Sequence, residues 1–133
     1  MREILFRGKN GNDDWVYGDF RNTNGMVSHN TFIVQHSDYM YHPVKPKTVG
    51  QYTGMEDKNG NKIFEGDIVD ASNEWWDAAG FAGHDSPILQ VEWDKYTCGF
   101  APFSVYDSDC GVFIDANGCE VIGNIYDNPE LLK

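Results

Sequence analysis

The chain has 133 residues, 41% hydrophobic and 23% charged, which is the composition of one ordinary globular domain and excludes a disordered or fibrous chain. No apolar run approaches the ~20 residues needed to span a bilayer, and residues 1–25 hold no signal-peptide core, so a soluble cytoplasmic protein without membrane contact is expected. The net charge of −11 lies entirely in the second half: residues 1–66 carry 8 Lys/Arg and 8 Asp/Glu, residues 67–133 only two Lys/Arg against 13 Asp/Glu. Affinity for nucleic acid comes from cations meeting phosphates, so that half is a poor candidate for holding DNA or RNA. Its acidity suits solubility, a basic partner or a divalent cation.

Short segments rich in β-branched and aromatic residues predict strands at 4–7, 15–20, 26–29, 31–35, 62–71, 88–93, 99–103, 111–114 and 119–125. Asn-Gly stands at Asn10-Gly11, Asn24-Gly25, Asn59-Gly60 and Asn117-Gly118, and its tolerance of positive φ marks each as a hairpin turn. In 15–20 the alternation sets Trp15, Tyr17 and Asp19 on one face against Val16, Gly18 and Phe20 on the other. Val91 and Trp93 alternate with Gln90, Glu92 and Asp94 as in a half-buried strand. Helix is expected only as short pieces at 73–79 and 128–132. In the latter Asn128 can cap, Pro129 suits the first position and Glu130 complements the dipole.

The signatures of phosphate-binding, dinucleotide-binding, serine-hydrolase and zinc-protease sites are missing, so no catalytic residue and no cofactor is assigned. His29, His36 and His42 with Asp38 could hold a transition metal, but their spacing matches no ligand pattern and they read as surface histidines, with no metal assigned. Asp107, Asp109 and Asp115 lack the order of a calcium loop and read as solvated turn residues. The odd count of Cys98, Cys110 and Cys119 argues against a disulfide framework, and each reads as a small buried apolar residue rather than a nucleophile. Arg2, Arg7, Lys9, Arg21, Lys45 and Lys47 are the candidate basic patch of a nucleic-acid binder.

Residues 71–87 carry Trp75, Trp76 and Phe81 beside Glu74, Asp77 and Asp85. A loop this long between strands is uncommon unless functional. Adjacent tryptophans in an extended chain cannot both face inward, and exposed ones anchor interfaces. Trp75, Trp76 and Phe81 are therefore the candidate interaction surface. The alternative is that the loop folds back and both indoles cover the sheet.

The run Thr48-Val49-Gly50-Gln51-Tyr52-Thr53-Gly54-Met55-Glu56-Asp57-Lys58-Asn59-Gly60-Asn61-Lys62-Ile63-Phe64-Glu65-Gly66-Asp67-Ile68-Val69 resembles the signature of the YopX protein family of phages and prophages. The opening Ile4-Leu5-Phe6-Arg7-Gly8-Lys9 with Trp15-Val16-Tyr17-Gly18-Asp19 is also similar to that family, as is the ending Glu120-Val121-Ile122-Gly123-Asn124-Ile125-Tyr126-Asp127-Asn128-Pro129-Glu130-Leu131-Leu132. Residues 71–87 depart from it by their length. The resemblance implies a mainly β protein of phage or prophage origin. It implies a single domain over 1–133, with an N-terminal β-hairpin segment (1–48) packed on a small SH3-like barrel (49–133). It implies no activity. Read physically, Phe64, Ile68 and Val69 approach a core, Gly66-Asp67 makes a tight bend, and Gly123-Asn124 reads as a bulge or as an edge that lets the last strand close onto the first part of the barrel.

The function that follows is a non-enzymatic interaction module whose partner is a host protein or a second copy of the chain. A nucleic-acid accessory factor is the alternative, supported by the basic residues of the first half. A small metal-dependent hydrolase is the second alternative, for which only the scattered His and Asp residues speak.

Overall fold

The computed structural model describes residues 3–23, 31–71, 73–76, 82–85, 88–103, 106–107, 112–113 and 115–132. They form antiparallel β-structure in two compact units, Met1–Gly54 and Met55–Lys133. Among the described residues helix is limited to three short 3-10 turns, and no helix is long and apolar enough to cross a membrane.

The first unit contains β1 (Phe6–Lys9), β2 (Trp15–Asn22), β3 (Thr31–Gln35), β4 (Tyr41–Pro43), a 3-10 turn at Pro46–Thr48 and β5 (Gly50–Glu56), through which the chain leaves the unit. The strands lie in the order β4-β3-β2-β1-β5. Val16, Ile33 and Val44 form its buried core, with Phe6, Phe20 and Val49 packed against them. The expected alternation of β2 holds: Val16 and Gly18 are buried while Tyr17 is exposed. A Cβ on Gly18 would lie 1.9 Å from the Val34 carbonyl oxygen, so the approach of β3 to β2 requires glycine there.

The Asn10-Gly11 turn is not the two-residue hairpin the dipeptide predicts. Lys9 pairs with Trp15, which leaves residues 10–14 in the connection. The Asn10 side-chain oxygen accepts from the amides of Asn12 and Asp14, and the positive φ falls on Asp13, at 61°. Asparagine has here organised a wider turn through its side chain. The expected strand at 26–29 and the Asn24-Gly25 turn lie outside the described residues.

The second unit continues with β6 (Lys62–Phe64), β7 (Asp67–Asp70), β8 (Asn73–Trp76), β9 (Ala82–Asp85), β10 (Ile88–Gln90), β11 (Glu92–Asp94), β12 (Gly99–Ala101), β13 (Tyr106–Asp107) and β14 (Val112–Phe113). A 3-10 turn at Ala116–Gly118, β15 (Glu120–Asn124) and a last 3-10 turn at Pro129–Leu132 complete it. β7 is the centre of a three-stranded sheet, β10-β7-β15, while β8-β9, β11-β12 and β13-β14 form separate ladders. Among the described residues these sheets stay open and do not close into a barrel. Ile63, Val69, Ala71, Val91, Ala116 and Cys119 are its buried core, and Leu89, Phe100, Phe103 and Val121 pack against it. Full burial of each Val or Ile contributes about 1.5–3 kcal/mol.

The signature residues act as local architects. Gly66 turns the chain between β6 and β7 at φ +93°, and the Asp67 carboxylate accepts from the Phe64 amide at 2.7 Å across that bend. Phe64, Ile68 and Val69 are buried. In the hairpin of Asn59-Gly60, the Asp57 carboxylate accepts from the amides of Asn59 and Asn61 at 2.9 and 2.8 Å. The register of β15 on β7 shifts between Val121 and Gly123, so the bulge lies at Ile122, just ahead of the expected Gly123-Asn124.

Other expectations are corrected. Asn117-Gly118 belongs to a 3-10 turn that Asp115 caps by accepting from the Asn117 amide, because a capping carboxylate stabilises the turn locally. Residues 73–76 of the expected 73–79 helix are strand β8, since Glu74-Trp75-Trp76 finds a cross-strand partner in β9. The expected single strand at 88–93 is divided at Val91, which joins no ladder with its neighbours. The 3-10 turn at Pro129–Leu132 matches the piece expected at 128–132.

Candidate functional site

The most exposed large aromatic side chains described in the second unit stand on the β11–β12 hairpin, and Val91 explains why they stand outward. Val91 is fully buried; its amide donates to the Asp67 carbonyl and its carbonyl accepts from the Gly66 amide, both at 2.8 Å. With its backbone so committed to the β6–β7 bend, the chain leaves the β10-β7-β15 sheet at that residue and starts a new ladder. Glu92 then pairs with Ala101, Trp93 with Phe100 and Asp94 with Gly99.

Trp93 meets Phe100 edge to face, ring centres 5.2 Å apart, and Phe100 packs on the core. One edge of the indole is thus held while 51% of the residue stays exposed. The turn 95–98 is set by the Asp94 carboxylate, which accepts from the Tyr96 amide at 2.9 Å, and by the positive φ of Cys98, 53°. Tyr96 is 87% exposed. An open cleft of about 430 Å³ is lined by Glu92, Trp93, Asp94, Lys95, Tyr96 and Ala101. The Lys95 ammonium lies 5.2 Å from the Tyr96 ring centre, within cation–π range. Two aromatic and two acidic residues thus line the cleft, with one lysine among them.

The candidate residues 75 and 76 lie on β8, where Trp75 pairs with Gly83 and Trp76 with Ala82 of β9. The backbone there is a β-hairpin where an irregular loop was expected. Phe81 lies outside the described residues. The expectation that Trp93 faces the core with Val91 is overturned, because the ladder changes between them. What could have pointed to the site is Trp93-Asp94-Lys95-Tyr96, two aromatics around two charges at a turn.

The basic patch is dispersed. Arg7 and Lys9 are buried, at 5% and 7% exposure, and both face the Trp15 indole, with the Arg7 guanidinium carbon 4.4 Å and the Lys9 ammonium 5.3 Å from its centre. Lys45 is paired with Asp13. Arg21 and Lys47 remain exposed, and Arg2 lies outside the described residues. The histidines weighed as metal ligands stand in separate pairs, His36 with Asp19 at 3.0 Å and His42 with Asp38 at 2.8 Å. The Met40 amide, ahead of His42, holds the Asp38 carboxyl below its ordinary pKa against a smaller opposing desolvation. His29 is outside the described residues, among which no group of three His, Cys, Asp or Glu side chains could hold a metal. Asp115 caps a turn, Asp107 pairs through its backbone with Val112, and Asp109 is not among the described residues.

Of the cysteines, Cys119 is buried as expected, and desolvation followed by the charges of Asp115, Asp70 and Asp57 pushes its thiol pKa up to about 11. That disfavours the nucleophilic thiolate. Cys98 is exposed, contrary to expectation, because it occupies the positive-φ corner of the hairpin turn. Cys110 lies outside the described residues.

The crystal structure of protein EF1440 from Enterococcus faecalis is similar to this chain, with a TM-score of 0.53 and 22% sequence identity over 100% of both chains. At that identity the likeness is one of fold. No curated protein matches. The family model described as YopX protein matches residues 5–133, so the chain belongs to the YopX protein family.

Proposed function

We propose that this protein is a non-enzymatic protein-interaction module, encoded by a phage or an integrated prophage and working in the cytoplasm of the bacterial host. Its partner is a host protein or a second copy of the chain, and the acidic second unit makes the contact. The observation that carries this reading is Trp93, held edge-on by Phe100 at 5.2 Å yet 51% exposed, beside the 87% exposed Tyr96. A large aromatic fixed in place before binding loses little entropy on contact, which is why tryptophan and tyrosine dominate interface energetics. Segment 71–87, whose Trp75, Trp76 and Phe81 are the contact expected from sequence, is proposed to join this surface in binding. Phage origin and the SH3-like character of residues 49–133 rest on the family resemblance, and the latter also on β7 being shared between β10 and a bulged β15.

The burial of Arg7 and Lys9 weighs against the nucleic-acid alternative, since cations spent on Trp15 cannot meet phosphates. The test is co-purification of the full chain from an infected or lysogenic host. A protein partner, or self-association that rises with concentration, is expected. Retention of nucleic acid that weakens steeply with salt would overturn the reading.

A further inference from the structure

We propose that the β11–β12 cleft receives an arginine- or lysine-bearing segment of a basic protein. This rests on the reading of that hairpin as a contact surface and names what it contacts. The cleft is lined by two aromatic residues, Trp93 and Tyr96, and by two acidic ones, Glu92 and Asp94. A guanidinium or ammonium satisfies both features at once, its charge meeting the carboxylates and its face or stem lying on the rings. Lys95 supplies an internal precedent, placing its own ammonium 5.2 Å from the centre of the Tyr96 ring. One lysine against two carboxylates leaves the lining negative. The sequence from residue 67 to 133, the cleft's own residues included, holds only two Lys/Arg against 13 Asp/Glu. That field draws a basic segment and repels an acidic one. An apolar anchor alone would take carboxylate surface of Glu92 and Asp94 out of water with no charge to offset it, which is unfavourable.

The experiment is a titration of the full chain with a short peptide of alternating arginine and glycine, and with its glutamine–glycine counterpart, read by calorimetry and tryptophan fluorescence. The expected result is binding of the arginine peptide alone, weakened several-fold between about 50 and 300 mM salt. Trp93→Ala and, separately, the Glu92→Gln/Asp94→Asn pair, in which the asparagine oxygen can still accept from the Tyr96 amide, should each weaken it about tenfold. The paired variant keeps both aromatic rings, so it stays informative if Trp93→Ala disturbs folding. Equal affinity of wild type and both variants would reveal diffuse attraction by net charge and overturn the proposal, as would binding of the glutamine peptide or of neither. If neither peptide binds while Trp93→Ala still loses a co-purified protein, the cationic occupant falls and the contact surface stands. If Trp93→Ala changes nothing in either assay, both fall.

Discussion

The Asp57 carboxylate accepts a hydrogen bond from the Val121 amide at 2.9 Å, tying together positions 64 residues apart in the chain. The same side chain closes the 57–61 hairpin and is only 4% exposed. Asp57→Ala should therefore leave several amides without acceptors and cost about 3 kcal/mol in urea unfolding. Burial raises the Asp57 pKa, but the hydrogen bonds from Val121, Asn61 and Asn59 outweigh it and the folded value is lowered. Its contribution is thus complete above the unfolded value of ~3.9 and is lost as pH falls through the lower folded value. Asp57→Asn should flatten the acid limb of the stability profile, and an unchanged limb would contradict this role.

Alanine at three glycines should separate three kinds of constraint. Gly18→Ala places a carbon 1.9 Å from a backbone oxygen and should cost on the order of 3 kcal/mol or more. Gly60→Ala meets no atom but must adopt φ +81°, a cost of about 1–2 kcal/mol. Gly118→Ala meets nothing and needs no positive φ, so it should change stability by less than ~0.5 kcal/mol. Urea midpoints of the three variants check the order.

Arg7→Ala and Lys9→Ala together should lower stability by about 2 kcal/mol, through loss of packing and of the contacts with Trp15. They should leave a gel shift with duplex DNA undetectable, as it is expected to be for the wild type. A specific DNA complex abolished by this pair would assign those cations to nucleic acid.

Maleimide at pH 8 should label Cys98 in the native protein and reach Cys119 only after unfolding, as peptide mapping will report. The Cys119 thiol ionises near ~8.5 when unfolded but at about 11 when folded, so its contribution to stability is whole below the first value and lost towards the second. Equal native labelling of both cysteines would contradict the burial of Cys119.

Much of the β architecture is legible in the sequence because periodicity and turn chemistry are local. β2, β3 and the bend at Gly66 follow from alternation and from the demand for positive φ. β5 escapes that reading because Gly50 and Gly54 look like breakers, although Gly54 takes φ +86° within the strand. The outward position of Trp93 is illegible for a different reason. Its pattern with Val91 is that of one buried face, and only the tertiary bonds of Val91 to Gly66 and Asp67 divide the strand there. Residues 75 and 76 were legible as an unusual aromatic pair, but not as one arm of a hairpin, since β9 contains Gly83 and no strong strand former.

Whether Trp93, and with it Trp75 and Trp76, binds a partner instead of completing the core is tested most directly by pairing affinity with melting temperature in Trp93→Ala and in Trp75→Ala/Trp76→Ala. Each variant should cost about 2 kcal/mol or more of affinity for the co-purified partner, while the melting temperature moves by no more than a degree or two. A loss of stability approaching ~3 kcal/mol with affinity intact would contradict the claim and make these side chains part of the core.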